Sequence, residues 1–285
     1  MRLEARNLTA GYGSAFRIVD ADLVIEEFKM TGIVGRNGSG KSTLLRTLAR
    51  VLKPQRGVVL LDGEVLHRLP GREVAKKLAF LGQPIDAIPD LTIEELVYRG
   101  RFPYQTMLHR DTNSDRDAVE WALDAMNLAD MRHRSLKQLS HGEMRRAWTA
   151  LALAQQPDIL LLDEPTAFLD MAHQFELLDL LGRLTEHGVT ILVSLHDLWL
   201  AAMYCQRIIA MSGGKIVASG PTEEVLTVEL IRDVFGVEVA MQPHPKIAGK
   251  KVALPVRRRD PARPQDDEIL RKAPAPNPTR DPSPH

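Results

Sequence analysis

The sequence predicts an α/β fold built on a sheet buried on both faces, and three observations carry that prediction. Continuous apolar runs at 31–35, Leu78–Leu81, 159–162, Thr190–Ser194 and 207–211 have the length and texture of strands covered by helices, several of them parallel. Between the runs, apolar residues recur at spacings of three and four: Leu45, Leu48, Ala49 and Leu52 form one stripe, and Ala118, Trp121, Ala122, Ala125 and Met126 another. A glycine-rich segment joins the first run to the first stripe, so a loop stands where strand passes into helix.

The elements follow in order. Segments 3–10, Phe16–Ile25 and 58–62 read as strands with no helix between the first two, which predicts an antiparallel β layer at the N-terminal end. From about 84 to 139 the pattern is helical with loops. Thr92-Ile-Glu-Glu95 is a capping box that opens one helix, and Ser114 or Asp115 caps the next. A helical subdomain inserted in the α/β body is the simplest reading. No repeat at periods of 20–50 residues is visible, which sets aside solenoids and propellers. Ten of the 18 prolines fall between 243 and 284, together with the basic cluster Arg257-Arg258-Arg259 and the patch Asp266-Asp267-Glu268. That composition buries too little apolar surface to offset its ordering entropy, so a folded body over about 1–240 and a disordered tail over 246–285 are predicted.

Composition excludes several classes of function. Across 285 residues, 37 basic side chains balance 37 acidic ones, which argues against affinity won by covering nucleic acid with positive charge; no nucleic-acid partner is expected. One cysteine, Cys205, rules out a disulfide framework and fits a reducing compartment. The first residues lack the apolar run of a secretory signal, and no apolar stretch reaches the roughly 18 residues of a spanning helix. The nine histidines are scattered without the spacing of a metal cluster.

The chemistry concentrates in two motifs. Gly35-Arg-Asn37-Gly38-Ser39-Gly40-Lys41-Ser42 fits G-x-x-x-x-G-K-[ST] in the required strand–loop–helix setting, with Thr43 following in the helix. Its glycines let backbone N–H groups surround phosphate oxygens, and the helix N-terminus adds partial positive charge. Lys41 is expected to reach the β and γ phosphates of a nucleotide, and the Ser42 hydroxyl to ligate Mg²⁺. The second motif is 159–165, four apolar residues followed by Asp163, Glu164 and Pro165. Asp163 is placed to hold Mg²⁺, through water, and Glu164 to polarise the attacking water.

Many phosphate-loop proteins share those two elements. The discriminating stretch is Leu139-Ser140-His141-Gly142-Glu143-Met-Arg-Arg at the opening of a helix. Here the sequence resembles the ATP-binding subunits of ABC transporters, whose signature reads L-S-G-G-Q or L-S-G-G-E; His141 stands where the first glycine usually lies. The resemblance implies an ABC cassette with a RecA-like core, and it extends over about 1–240. It assigns Tyr12 to stacking on adenine, Gln83 to sensing Mg²⁺ and the γ-phosphate while linking to a membrane partner, Asp170 to a loop crossing a dimer interface, and His196 to the γ-phosphate. Ser140, His141, Gly142 and Glu143 would face ATP held by the opposite subunit, so that two ATP are sandwiched in a head-to-tail homodimer.

Segments 99–104, 166–174 and 224–236 resemble the importer group for iron-siderophores, haem and vitamin B12. That likeness implies an ATPase at the cytoplasmic face of the inner membrane, peripheral, working with two integral membrane permease subunits and an external substrate-binding protein on an iron chelate. Haem, cobalamin and a metal ion are the alternative substrates, and a non-transport ATPase of the DNA-repair or ribosomal type is the alternative class. The repair type is disfavoured because about a hundred residues without sustained heptads separate Lys41 from Ser140, and the ribosomal type because one cassette is present.

Overall fold

The computed structural model describes residues 2–13, 16–82, 88, 90–105, 112–244, 247 and 251–258. The N-terminal region runs β1 (Leu3–Tyr12), β2 (Phe16–Ile25), β3 (Met30–Val34), α1 (Lys41–Leu48), β4 (Arg56–Leu61), β5 (Glu64–Val65), α2 (Gly71–Lys77) and β6 (Leu78–Leu81). The middle is helical: α3 (Ile93–Tyr98), α4 (Asn113–Ala125) and α5 (His141–Ala154). The chain then returns to alternation through β7 (Ile159–Asp163), α6 (Met171–Glu186), β8 (Thr190–Ser194), α7 (Leu198–Tyr204), β9 (Arg207–Ser212) and β10 (Lys215–Pro221). It continues through α8 (Thr222–Val225), α9 (Val228–Phe235), β11 (Val237–Pro243) and β12 (Lys251–Arg258).

The predicted α/β architecture is present as two sheets of different character. Strands in the order β2-β1-β4-β5 make the antiparallel layer. The main sheet has the order β10-β9-β3-β8-β7-β6 and is parallel except for β10. Alternation along each strand divides the core between its faces. Met30, Val34, Leu160, Leu162, Ile191 and Val193 share one core with the helices α3 to α7. Ile33, Ile159, Leu161 and Leu192 pack with α1 and the antiparallel layer. β3 thus lies at the centre of the sheet, and its C-terminal end, beside those of β7 and β8, opens on the crevice where open α/β sheets bind ligands.

Four local details differ from the sequence reading. The cap of α4 is Thr112, whose hydroxyl accepts the Asp115 N–H while Asp115 reaches back to the Thr112 N–H, so Asp115 is the third residue of a capping box and Ser114 takes no part. Trp121 is 42% exposed; the buried face of α4 is Ala118, Val119, Ala122 and Leu123, and Trp121 falls on its flank. β10 appears as a hairpin partner of β9 across Gly213-Gly214, both at positive φ (55° and 78°), as a tight two-residue turn demands.

The last difference concerns the C-terminal segment predicted to be disordered from residue 246. β12 lies inside it and pairs antiparallel with β11 from Val237↔Arg258 to Pro243↔Lys251. Val252, Leu254 and Val256 give this stretch strand patterning that a composition averaged over forty residues conceals. Pro255 is accommodated beside the register shift at Glu238/Val239, where the ladder is already interrupted. Of the remainder of the segment, 246, 248–250 and 259–285 lie outside the described residues.

Candidate active site

The phosphate loop is shaped by its glycines. Gly35 has φ 155°, and a Cβ there would stand 2.3 Å from the Met211 carbonyl oxygen of β9, so no larger residue fits. Gly40 at φ 109° turns the chain into α1 without a side-chain cap, which leaves the helix N-terminus facing the loop. The Gly214 N–H of the β9–β10 turn donates to the Ser39 carbonyl at 3.1 Å and braces the loop from behind. Lys41, 5% exposed, folds its ammonium back onto the carbonyls of Gly35 (2.9 Å) and Arg36 (3.3 Å). Burial pushes its pKa down, against the pull of Glu164 and Asp163.

Parallel pairing of β7 with β8 brings Asp163 opposite Ser194 and builds the acidic half. Asp163 is fully buried; its Oδ1 accepts from the Ser194 hydroxyl at 2.8 Å and from the Ser42 hydroxyl at 3.1 Å. The next residue, Glu164, adopts φ 52°, a left-handed conformation that for a non-glycine costs on the order of 1–3 kcal/mol. It is held there by its N–H donating to Ser194 Oγ at 2.8 Å. The turn presents the Glu164 carboxylate to His196, with Oε1 and Nε2 2.6 Å apart.

A cavity of about 570 Å³ collects Asn37, Gly38, Ser39, Gly40, Lys41, Ser42, Thr43, Glu164 and His196. Residues more than 150 positions apart in sequence therefore converge on one space beside the loop. Asp163 lies behind it through Ser42, and its buried Oδ2 has no hydrogen-bond partner among the described residues. A hydroxyl and a carboxylate with an unused oxygen form an all-oxygen donor set of the kind a hard cation takes, so the residues fit Mg²⁺. Tyr12 is exposed and is not among the residues that line the cavity; its hydroxyl accepts from Arg46 of α1 at 3.1 Å. Gln83 lies outside the described residues.

The signature residues do not line this cavity. Ser140 caps α5: its hydroxyl accepts the Glu143 N–H at 3.2 Å, and Glu143 accepts the Ser140 N–H at 2.8 Å, which holds the Glu143 carboxyl below its ordinary range. The His141 ring lies 5.6 Å from that of Phe168, and Gly142 admits no more than ordinary contact with the Phe168 carbonyl. Asp170 caps α6 through the His173 N–H at 3.0 Å. Phe168 and Met171 beside it are 71% and 73% exposed, an apolar surface next to the signature.

Two participants escaped the sequence reading. Ser194 bridges both acids, and its signal was a polar residue closing an apolar strand two positions before His196. Arg145, 3% exposed, donates to the carbonyls of Gly82 at 2.8 Å and of Asp163, and burial pushes its pKa down to about 10 against the pull of Asp163 and Glu164. Its signal was a cation on the buried face of α5.

A phosphate loop on the central strand of a largely parallel sheet, faced by a buried aspartate and a glutamate at the end of β7, one strand beyond its neighbour β8, defines a P-loop nucleoside triphosphate hydrolase. The ABC transporter family model matches residues 18–167. The chain is 45% identical over 254 residues to the Probable siderophore transport system ATP-binding protein YusV of Bacillus subtilis (strain 168), spanning 89% of this chain and 92% of that protein. It is 41% identical over 262 residues to the Ferric enterobactin transport ATP-binding protein FepC of Escherichia coli (strain K12), spanning 92% and 96%. Among solved structures, the dimeric bacterial ABC transporter cassette MJ0796 superposes with a TM-score of 0.70 at 30% identity, covering 77% of this chain and 98% of that one. The chain belongs to the ABC transporter family and is an ATP-binding, ATP-hydrolysing subunit of it.

Proposed function

We propose that this chain powers import of an iron chelate, an iron-siderophore in particular, through separate membrane permeases. The observation that carries the ATPase part is the continuous chain of contacts from Ser42 through Asp163 and Ser194 to Glu164 and His196 around one cavity. Lys41 then exchanges the loop carbonyls it now binds for phosphate oxygens, a stronger charge-assisted contact. Ser42 and Asp163 would hold Mg²⁺, which when bound would supply neutralisation of phosphate charge. Glu164, turned into the cavity by its left-handed backbone, orients the attacking water, and His196 holds that carboxylate until the γ-phosphate competes for the imidazole.

Because Ser140–Glu143 stand apart from the cavity, one chain does not enclose ATP. Two chains meeting head to tail bring the Ser140 surface of one over the Lys41 loop of the other, and the exposed Phe168 and Met171 are suited to that contact. The dimeric cassette at 30% identity supports this arrangement. ATP then bridges the two surfaces, and hydrolysis releases them. No helix among the described residues is long and apolar enough to cross a membrane, so the translocation path is assigned to two permease subunits, with an external binding protein delivering the chelate. A groove of about 610 Å³ on the helical region, with Leu91, Tyr98, Phe102 and Val119 between Glu94, Arg99 and Glu120, offers the permeases a docking face on the cytoplasmic side.

The relatives named for siderophore and ferric enterobactin transport support the iron-chelate substrate. The test is reconstitution in liposomes with the permeases, binding protein and a panel of ferric siderophores, haem, cobalamin and free metal. Stimulation of ATP hydrolysis by ferric siderophores is the expected result; stimulation by haem, cobalamin or metal alone would reassign the substrate. In the same system Glu164→Gln should bind ATP, accumulate as an ATP-bound dimer and turn over very slowly, and a native rate would refute the assignment of Glu164.

A further inference from the structure

A buried cation lies beneath the two acids and makes no ion pair among the described residues. Arg145 sits one turn into α5 and is 3% exposed. Its Nη1 donates to the Gly82 carbonyl at 2.8 Å and its Nη2 to the Asp163 carbonyl, while Nε has no partner among the described residues. The two acceptors have a common position. β6 and β7 pair from Leu78↔Ile159 to Leu81↔Leu162, so Gly82 and Asp163 are the first residues beyond that ladder, where one strand leaves toward the helical region and the other turns into the acidic pair. The carbonyls at such a divergence, that of Asp163 buried and that of Gly82 partly so, still require donors. A guanidinium provides two in a rigid plane, which neither an apolar side chain nor a single ammonium does.

The helix that carries this fork begins at Ser140. Its capping box fixes the first turn, so the backbone of Arg145 follows Ser140 by little more than one helical turn. The same fork grips the backbone of Asp163, one residue before Glu164. Burying a guanidinium is costly even where two carbonyls accept from it and the charges of Asp163 and Glu164 favour it, and that cost is hard to account for at a site whose sole need is a filled core.

We propose that Arg145 is a positioning residue for ATP hydrolysis, its fork tying the ends of β6 and β7 to α5 so that the signature turn and the Asp163–Glu164 pair move as one body. Docking of the opposite subunit's ATP on Ser140 is thereby felt at the chain's own acids, and the Gly82 end carries the same displacement to the entrance of the helical region. The inference rests on the ATPase reading and adds to it a residue that touches neither nucleotide nor water.

The test uses the full chain with three variants, Arg145→Lys, Arg145→Gln and, as a control on the ATPase reading itself, Glu164→Gln. Steady-state kcat and KM, ATP affinity by calorimetry and the thermal midpoint are measured for each. Arg145→Lys keeps the charge and loses the fork, so kcat should fall at least about tenfold while KM and ATP affinity stay within about threefold. Arg145→Gln loses the charge and, its single amide nitrogen ending two bonds short of the guanidinium nitrogens, does not span the two carbonyls, so kcat should fall at least as far as in Arg145→Lys. A Lys or Gln variant within about twofold of native kcat, a parallel loss of kcat and ATP affinity, or a Lys variant that fails to fold would each overturn the proposal. Native turnover by Glu164→Gln would instead overturn the underlying site.

Discussion

Ser194→Ala removes one hydroxyl and strikes both acids at once. Its Oγ donates to Asp163 Oδ1 at 2.8 Å and accepts from the Glu164 N–H at 2.8 Å, and the residue is fully buried, so water does not replace it. Losing a hydrogen bond to a charged group costs about 1.5–3 kcal/mol, with a further stranded donor at Glu164. Ser42 still serves Asp163 Oδ1, at 3.1 Å, so the aspartate keeps part of its support. Glu164 does not: its left-handed φ of 52° is secured by the bond that disappears. If the loss falls on the transition state, about 1.5–3 kcal/mol becomes roughly 10- to 150-fold in kcat. The phosphate loop is untouched, so ATP affinity should change by less than about threefold. A coupled ATPase assay gives the first quantity and titration calorimetry the second. A folded Ser194→Ala chain with kcat within about twofold of native would refute the claim that Ser194 orients Glu164.

Lys41→Ala should weaken ATP binding by about 2–3 kcal/mol, roughly 30- to 150-fold by calorimetry, because the ammonium is the charged donor at the centre of the loop; unchanged affinity would refute its placement. His141→Gly should leave kcat within about threefold of native, since the ring packs against exposed Phe168; a loss above tenfold would show a further contact made by the imidazole. Asp115 gives a pH dependence. Burial pushes its carboxyl up, but bonds from Arg101 at 2.9 Å and from Thr112 outweigh this and hold it below the ordinary range. A depressed folded pKa stabilises the protein above the unfolded value of about 3.9, and that contribution is lost as pH falls through the folded value. Denaturant titrations of native and Asp115→Asn chains should therefore differ at neutral pH and converge below about pH 4; a constant gap would exclude this linkage.

The sequence made legible whatever is encoded contiguously. Gly35 to Ser42 declares itself because strand, loop and helix are consecutive, and the glycine spacing has few other uses. Asp163 and Glu164 were readable for the same reason, as acids closing an apolar run, and the Thr92–Glu95 box was readable because capping spans a single turn. β12 was misread because composition was averaged across a segment in which eight residues form a strand. The exposure of Trp121 was misread because a stripe with mixed spacings of three and four covers more of the helix circumference than the neighbours of α4 can bury.

By itself, then, the sequence determined the class of the sheet, the loop that receives phosphate and the identity of the two acids, since local steric and charge requirements fix these within a few residues. The sheet order decided the rest. Placing β8 between β3 and β7 sets Ser194 opposite Asp163 and delivers His196 to Glu164, contacts that span about thirty residues and exist because parallel strands align their C-terminal ends. Folding α5 against β6 and β7 turned Arg145 from one basic residue among 37 Lys and Arg into the bridge between two diverging strands. A side chain's partners across a sheet depend on crossovers that no local pattern records, so the acids were visible in the sequence and their support was created by the fold.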